Sequence, residues 1–222
     1  MNIRHTFLLL VILLLAAGCG SEESEISKEN LSKQMESVRV QKEDTITWTA
    51  DVTHDGTDDS IIIDLTYIKN YPENEEPNIK VYSGSTGDVI WEEFVSTVNT
   101  NTDGIYLYND GEKDYLMTWK PYSSTGNFDY KYKIMNLKDS GEPEIVQEGE
   151  IDFSLGSNNS VSEDDYLWLQ EFSEEVNKYL KKSILLVDTN SGEGVYSTPE
   201  NKITGDYEPE DDLSAIKSQL EK

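Results

Sequence analysis

Residues 45–67 read Thr-Ile-Thr-Trp-Thr-Ala-Asp-Val-Thr-His-Asp-Gly-Thr-Asp-Asp-Ser-Ile-Ile-Ile-Asp-Leu-Thr-Tyr. Ile46, Trp48 and Ala50 alternate with threonines, and Ile61, Ile63, Leu65 and Tyr67 alternate with Ile62, Asp64 and Thr66. Successive side chains of a strand point to opposite faces, so a period of two predicts half-buried strands. Two such runs joined by a short Asp- and Gly-rich segment predict an antiparallel pair.

The alternation continues outward. Ile79 and Val81 lead into Ser83-Gly84-Ser85-Thr86-Gly87-Asp88, and Val89 and Trp91 begin a returning strand. Ile105 to Tyr108 and Tyr115 to Trp119 flank Asn109-Asp110-Gly111, a hairpin signal. Phe128, Tyr130, Tyr132 and Ile134 alternate, and Ile145-Val146 and Ile151 to Phe153 close the series. Over 163–182 the period changes: Leu169, Phe172, Val176 and Tyr179 or Leu180 fall at helical spacing. Ser162 suits the N-cap, Glu163, Asp164 and Asp165 the positive helix end, and Lys178, Lys181 and Lys182 the negative one. Trp168 lies off the main stripe, at its edge. Ile184 to Val187 reads as a final strand. The expected fold class is α+β: mainly an antiparallel β meander of about seven or eight strands, built from propeller-blade-like hairpins, with one amphipathic helix packed on the sheet.

Residues 4–19 read Arg-His-Thr-Phe-Leu-Leu-Leu-Val-Ile-Leu-Leu-Leu-Ala-Ala-Gly-Cys. A weakly basic start, an apolar run from Phe7 to Leu15 and small residues before Cys19 make the pattern of a secretory signal. The run is shorter than the roughly 20 apolar residues that span a bilayer. Leu15-Ala16-Ala17-Gly18-Cys19 resembles the lipobox of bacterial lipoproteins of Gram-positive type, with Ala16 where Leu is commoner. That resemblance implies cleavage before Cys19, S-diacylglyceryl modification of its thiol, and a protein anchored by lipid in the cell membrane, facing outside the cytoplasm. The expected organisation is a signal peptide over 1–18, a lipidated N-terminus and flexible acidic tether over 19–40, and a single β-rich domain over 41–198. An acidic tail over 199–222 follows, in which Leu213, Ile216 and Leu220 keep the spacing of a short helix.

The 222 residues carry 18 Lys and Arg against 44 Asp and Glu, a formal net charge of −26. Such acidity excludes the basic footprint that nucleic-acid binding needs and disfavours docking on anionic lipid through the protein surface. Thirteen Tyr, five Phe and four Trp, mostly in the alternating segments, argue for a packed core rather than disorder. Cys19 is the only cysteine, so no disulfide is available within the chain.

The segment between the first two strands is the candidate metal site. Counting Asp51 as position one puts Thr53, Asp55, Thr57 and Asp59 at positions three, five, seven and nine, with Gly56 at the turn. Calcium takes six to eight oxygen ligands, and a tight loop can turn alternate residues inward, with Thr57 offering its backbone carbonyl. Position twelve is Ile62, so the loop is not an EF-hand. Strand, Asp-rich loop, strand, followed by the hairpin Ile79 to Trp91, resembles the calcium loops of FG-GAP and VCBS-type repeats. The resemblance implies Asp51, Asp55 and Asp59 as calcium ligands. Thr53 departs from the Asp or Asn usual at position three, and the Phe-Gly and Gly-Ala-Pro elements are missing. Asn109-Asp110-Gly111-Glu112-Lys113-Asp114 keeps part of the pattern but reads as a plain turn. His54, the one histidine after the leader, is expected to point away from the ion.

No Gly-x-Ser-x-Gly elbow, phosphate-binding glycine loop or Cys-His arrangement occurs, and no carboxylate pair stands out as general acid and base. The function expected is that of a membrane-anchored, non-enzymatic binding module stabilised by calcium. Its partners would be the bilayer, through acylated Cys19, and an envelope protein or wall polysaccharide. The alternative is a carbohydrate-binding or carbohydrate-cleaving surface protein, with Trp48, Trp91, Trp119, Tyr122, Tyr130 and Tyr132 as its stacking platform. Most of these rings are expected in a sheet core instead. A two-lobed solute receptor fits poorly, because repeated strand–helix units are lacking.

Overall fold

The computed structural model describes residues 44–66, 77–95, 104–124, 127–154, 162–188 and 194–221. All fall within the compact unit Asp44–Lys222. The signal segment, Cys19 and the tether lie outside the described residues.

Strands β1 (Thr45–Ala50), β2 (Asp59–Asp64), β3 (Ile79–Tyr82) and β4 (Val89–Glu93) form a four-stranded antiparallel sheet in sequence order. Strands β5 (Gly104–Asn109), β6 (Asp114–Ser124), β7 (Asn127–Asn136), β8 (Glu144–Ser154), β9 (Ser183–Asp188) and β10 (Val195–Tyr196) form a second sheet, in the order β10-β9-β5-β6-β7-β8. Helices α1 (Glu163–Leu180) and α2 (Glu210–Leu220) complete the described elements.

This is a mixed α+β domain with two antiparallel sheets and two helices, and it corrects the expected single meander of propeller-blade-like hairpins with one helix. β9 does not extend the series after β8; it pairs with β5 on the far side of the sheet. Both sheets are open, so the strand pairs are not blades of a closed ring.

The physical reason lies in β5. Ile105, Tyr106, Leu107 and Tyr108 are all buried, which requires a covering layer on each face. On one face Ile105, Leu107, Leu116, Met135, Leu137 and Leu186 pack with Ile46, Trp48, Ile61, Ile63, Ile79 and Val81 of the four-stranded sheet. On the other, Tyr106, Met117, Trp119, Phe128, Tyr130 and Tyr132 pack with Leu169, Phe172, Val176 and Leu180 of α1 and Ile216 of α2. The order of layers is sheet, sheet, helices. Large rings dominate the second interface; at about 25 cal/mol per Å² a buried ring contributes several kcal/mol before entropy is subtracted.

Ser162 caps α1 through a full capping box: its hydroxyl receives the Asp165 N–H at 3.2 Å, and the Asp165 carboxylate accepts the Ser162 N–H at 2.8 Å. The acidic stretch 199–212 is mostly exposed but is fastened at Tyr207. Tyr207 lies edge-on to Trp119 with ring centroids 5.1 Å apart, and its backbone N–H and carbonyl both bond the Asn177 side-chain amide.

Candidate functional site

The aspartate loop joins β1 to β2. Asp51 accepts the N–H of Asp55 on Oδ1 at 3.1 Å and that of Gly56 on Oδ2 at 3.0 Å. Asp59, fully buried, accepts the Thr53 N–H on Oδ2 at 3.0 Å and the Gly84 N–H on Oδ1 at 2.9 Å. The Thr53 hydroxyl donates to the same Asp59 oxygen at 3.1 Å, and Asp55 receives the Thr57 N–H at 2.7 Å. That last bond, with help from the Ser85 hydroxyl, holds the Asp55 carboxyl below its usual range. Gly56 takes φ 89°, a left-handed conformation that suits glycine. The carboxylates of this loop are thus turned onto backbone amides, in the manner of Asx turns. Among the described residues no group of three or more His, Cys, Asp or Glu is placed to hold a metal ion together. Asp51, Thr53, Asp55, Thr57 and Asp59 share one loop, and the Thr53 hydroxyl lies 3.5 Å from Asp51 Oδ1 and 3.1 Å from Asp59 Oδ2.

His54 turns away from these carboxylates. Its Nε2 donates to the Asp114 carbonyl at 2.7 Å, and its ring stands edge-on to Tyr115 at 4.7 Å, so it fastens the loop to the β5–β6 hairpin. Gly84 lies so close to the loop that an added Cβ would sit 2.1 Å from the Asp58 carbonyl oxygen. Asp110 closes its hairpin as a plain turn, accepting the N–H of Glu112 at 2.8 Å and of Lys113 at 2.9 Å.

A second place with functional character lies where β8 meets α1. A groove of about 390 Å³ is lined by Glu150, Ile151 and Asp152 of β8 and Trp168, Glu171, Phe172 and Glu175 of α1. The four helix residues fall at i, i+3, i+4 and i+7 and so share one face. Trp168 is 58% exposed, unusual for so large an apolar ring. The charged residues of the lining are all carboxylates. Glu175 is fixed from below: it accepts the Tyr132 hydroxyl and lies 3.5 Å from Gln147 Nε2, which also donates to Tyr132 at 3.2 Å. Burial first, and then the Glu175 bond, raise the Tyr132 phenol above its usual range, so it stays a donor. Gly149 makes the arrangement possible, since a Cβ there would meet the Tyr132 ring at 2.5 Å.

Sequence reasoning placed Trp168 off the helix stripe but did not single out Glu150, Asp152, Glu171 or Glu175. A tryptophan at the edge of the apolar stripe of an amphipathic helix is the signal in the sequence that pointed here. Of the six rings named as a stacking platform, Trp48, Trp119, Tyr130 and Tyr132 are buried, while Trp91 and Tyr122 are half-buried. The first four belong to the two cores, and Trp91 packs against the one that holds Trp48.

No protein-family model, curated protein or solved structure matches the chain. The resemblances to lipoproteins with a lipobox and to FG-GAP and VCBS repeats therefore gain no family support. The open sheets argue directly against the second, and with it falls the reading of the loop as a propeller calcium motif.

Proposed function

We propose that the protein is a membrane-anchored module outside the cytoplasm that holds a partner protein of the cell envelope rather than transforming a substrate. The observation that carries the binding reading is the groove at Trp168: an exposed ring among carboxylates between a strand and a helix. Exposed aromatic surface rimmed by charge is characteristic of interaction sites. A protein with basic side chains suits this groove better than an acidic wall polymer, which the carboxylates repel.

The location rests on the sequence alone. The run Phe7–Leu15, the small residues after it and Cys19 supply an export signal and an acylation point. Two acyl chains give durable anchoring where one gives only marginal binding. The test is membrane fractionation with labelled fatty acid. The native chain should partition with membranes and carry label, and Cys19→Ser should stay unprocessed or be released in soluble form. Unchanged membrane partition of Cys19→Ser, or unlabelled protein in the cytosol, contradicts the proposal.

Calcium enters this proposal only as a stabiliser of the Asp51–Asp59 loop, with the affinity of about 10⁻⁴–10⁻³ M usual for extracellular modules. A calcium-dependent rise in melting temperature that Asp55→Ala abolishes supports that role. An unchanged melting temperature removes it.

A further inference from the structure

We propose that the edge of β8 that no described strand pairs, together with the groove beside α1, takes up an extended segment of a partner polypeptide bearing lysine or arginine. This rests on the binding reading above and names the chemistry of its partner.

The edge itself is the first ground. β8 runs for 11 residues, Glu144–Ser154, and pairs with β7 along one side; no described strand pairs with its other side. An edge of this length offers a row of backbone N–H and C=O groups to an incoming strand. The second ground is the groove alongside it. In an added strand every other side chain faces the same way, at a spacing of about 6.6–6.8 Å, so alternate residues would enter the groove. Third is the chemistry of the lining. A lysine or arginine stem can lie on the Trp168 ring while its charged head reaches Glu171 or Glu175 on the same helix face, and the residues between face the side of β8 that carries Glu150 and Asp152. Glu175, held by Tyr132 and Gln147, is already positioned, which lowers the ordering cost of binding.

Apolar exposure coincides with the same two elements. Ile145 and Val146 on β8 and Leu167 and Trp168 on α1 are each about half exposed. A second copy of the chain is the wrong occupant. Antiparallel pairing of β8 with itself would bring the acidic run Glu148, Glu150 and Asp152 against its own copy, and like charges across a ladder destabilise it. The same charges favour a basic strand.

The experiment is calorimetric titration of the full chain in mild detergent at about 0.15 M salt. The probe is a capped peptide of about ten alternating Lys and Val residues. Three controls accompany it: the Glu-Val counterpart, the Lys-Val peptide with a central Val replaced by Pro, and spermine. The Lys-Val peptide should bind, the proline peptide about tenfold more weakly because it lacks a ladder donor, and the other two not at all. Trp168→Ala, at an exposed position that leaves the core intact, should weaken binding about fivefold or more, and Glu171→Gln should do the same. Absence of Lys-Val binding, equal binding of spermine or of the proline peptide, or unchanged affinity in Trp168→Ala overturns the inference. Each of these results leaves the membrane-anchoring experiment standing, and failure of anchoring leaves this titration standing.

Discussion

The Tyr132 hydroxyl donates to the Glu175 carboxylate, so a strand of the sheet sets the position of an acid on the helix above it. The contact lies at the groove between β8 and α1. Tyr132→Phe removes the donor and leaves Glu175, half-exposed, to be rehydrated. Urea unfolding should show a loss of about 1 kcal/mol, the net worth of a typical hydrogen bond. Gly149→Ala should cost more, because its Cβ displaces the Tyr132 ring as well.

Asp59 joins two loops of the four-stranded sheet. It accepts one amide from its own loop, Thr53, and one from the β3–β4 hairpin, Gly84. Asp59→Ala orphans both N–H groups in a site with no water access at Asp59 itself. The expected loss is about 1–3 kcal/mol for each amide that finds no new partner. Equilibrium denaturation measures it, and a loss under about 0.5 kcal/mol would show that the two loops are not joined through this carboxylate.

Alkaline pH should unfold the protein through its buried phenols. Tyr130 donates to Asp212 at 2.6 Å, and Tyr207 to the same oxygen at 3.2 Å. Burial first, and the Asp212 contacts after it, push the Tyr130 phenol well above its ordinary 10.0; burial likewise raises Tyr207. A folded-state pKa above the unfolded one means stability that is full below about pH 10 and is lost as pH rises, because the unfolded chain ionises first. Denaturation midpoints between about pH 8 and 11 should fall on the alkaline side, and Tyr130→Phe should flatten that fall.

Ser162→Ala removes the capping hydroxyl of α1 and frees the Asp165 amide. About 1 kcal/mol should be lost. Because α1 carries Trp168, Glu171 and Glu175, the same variant should raise hydrogen exchange in the first turn next to the groove.

Much of the strand and helix content was readable because period is a local property. Phe128, Tyr130, Tyr132 and Ile134 alternate in the sequence and are all buried facing the helices. The Ser162 cap and the stripe Leu169, Phe172, Val176 locate α1. Partnership is not local, and there the reading failed. In β5 the residues Ile105 and Leu107 serve one core and Tyr106 and Tyr108 the other, which in sequence is simply an apolar run. Nothing in that run says that β9 returns to its side or that a separate sheet covers one face. Asp51, Asp55 and Asp59 were legible as a tight turn, yet spacing alone did not reveal that backbone amides occupy their oxygens. The groove was hidden for the same reason: Glu150 and Asp152 meet Trp168 only through the packing of α1 over the sheet edge.

Hydrogen exchange on the full chain, with and without the Lys-Val peptide, tests the central claim most directly. The account predicts that peptide slows exchange in residues 144–154 of β8 and in α1 around Trp168, and leaves the 51–59 and 83–88 loops as they were. Protection confined to those loops, with β8 unchanged, would contradict it.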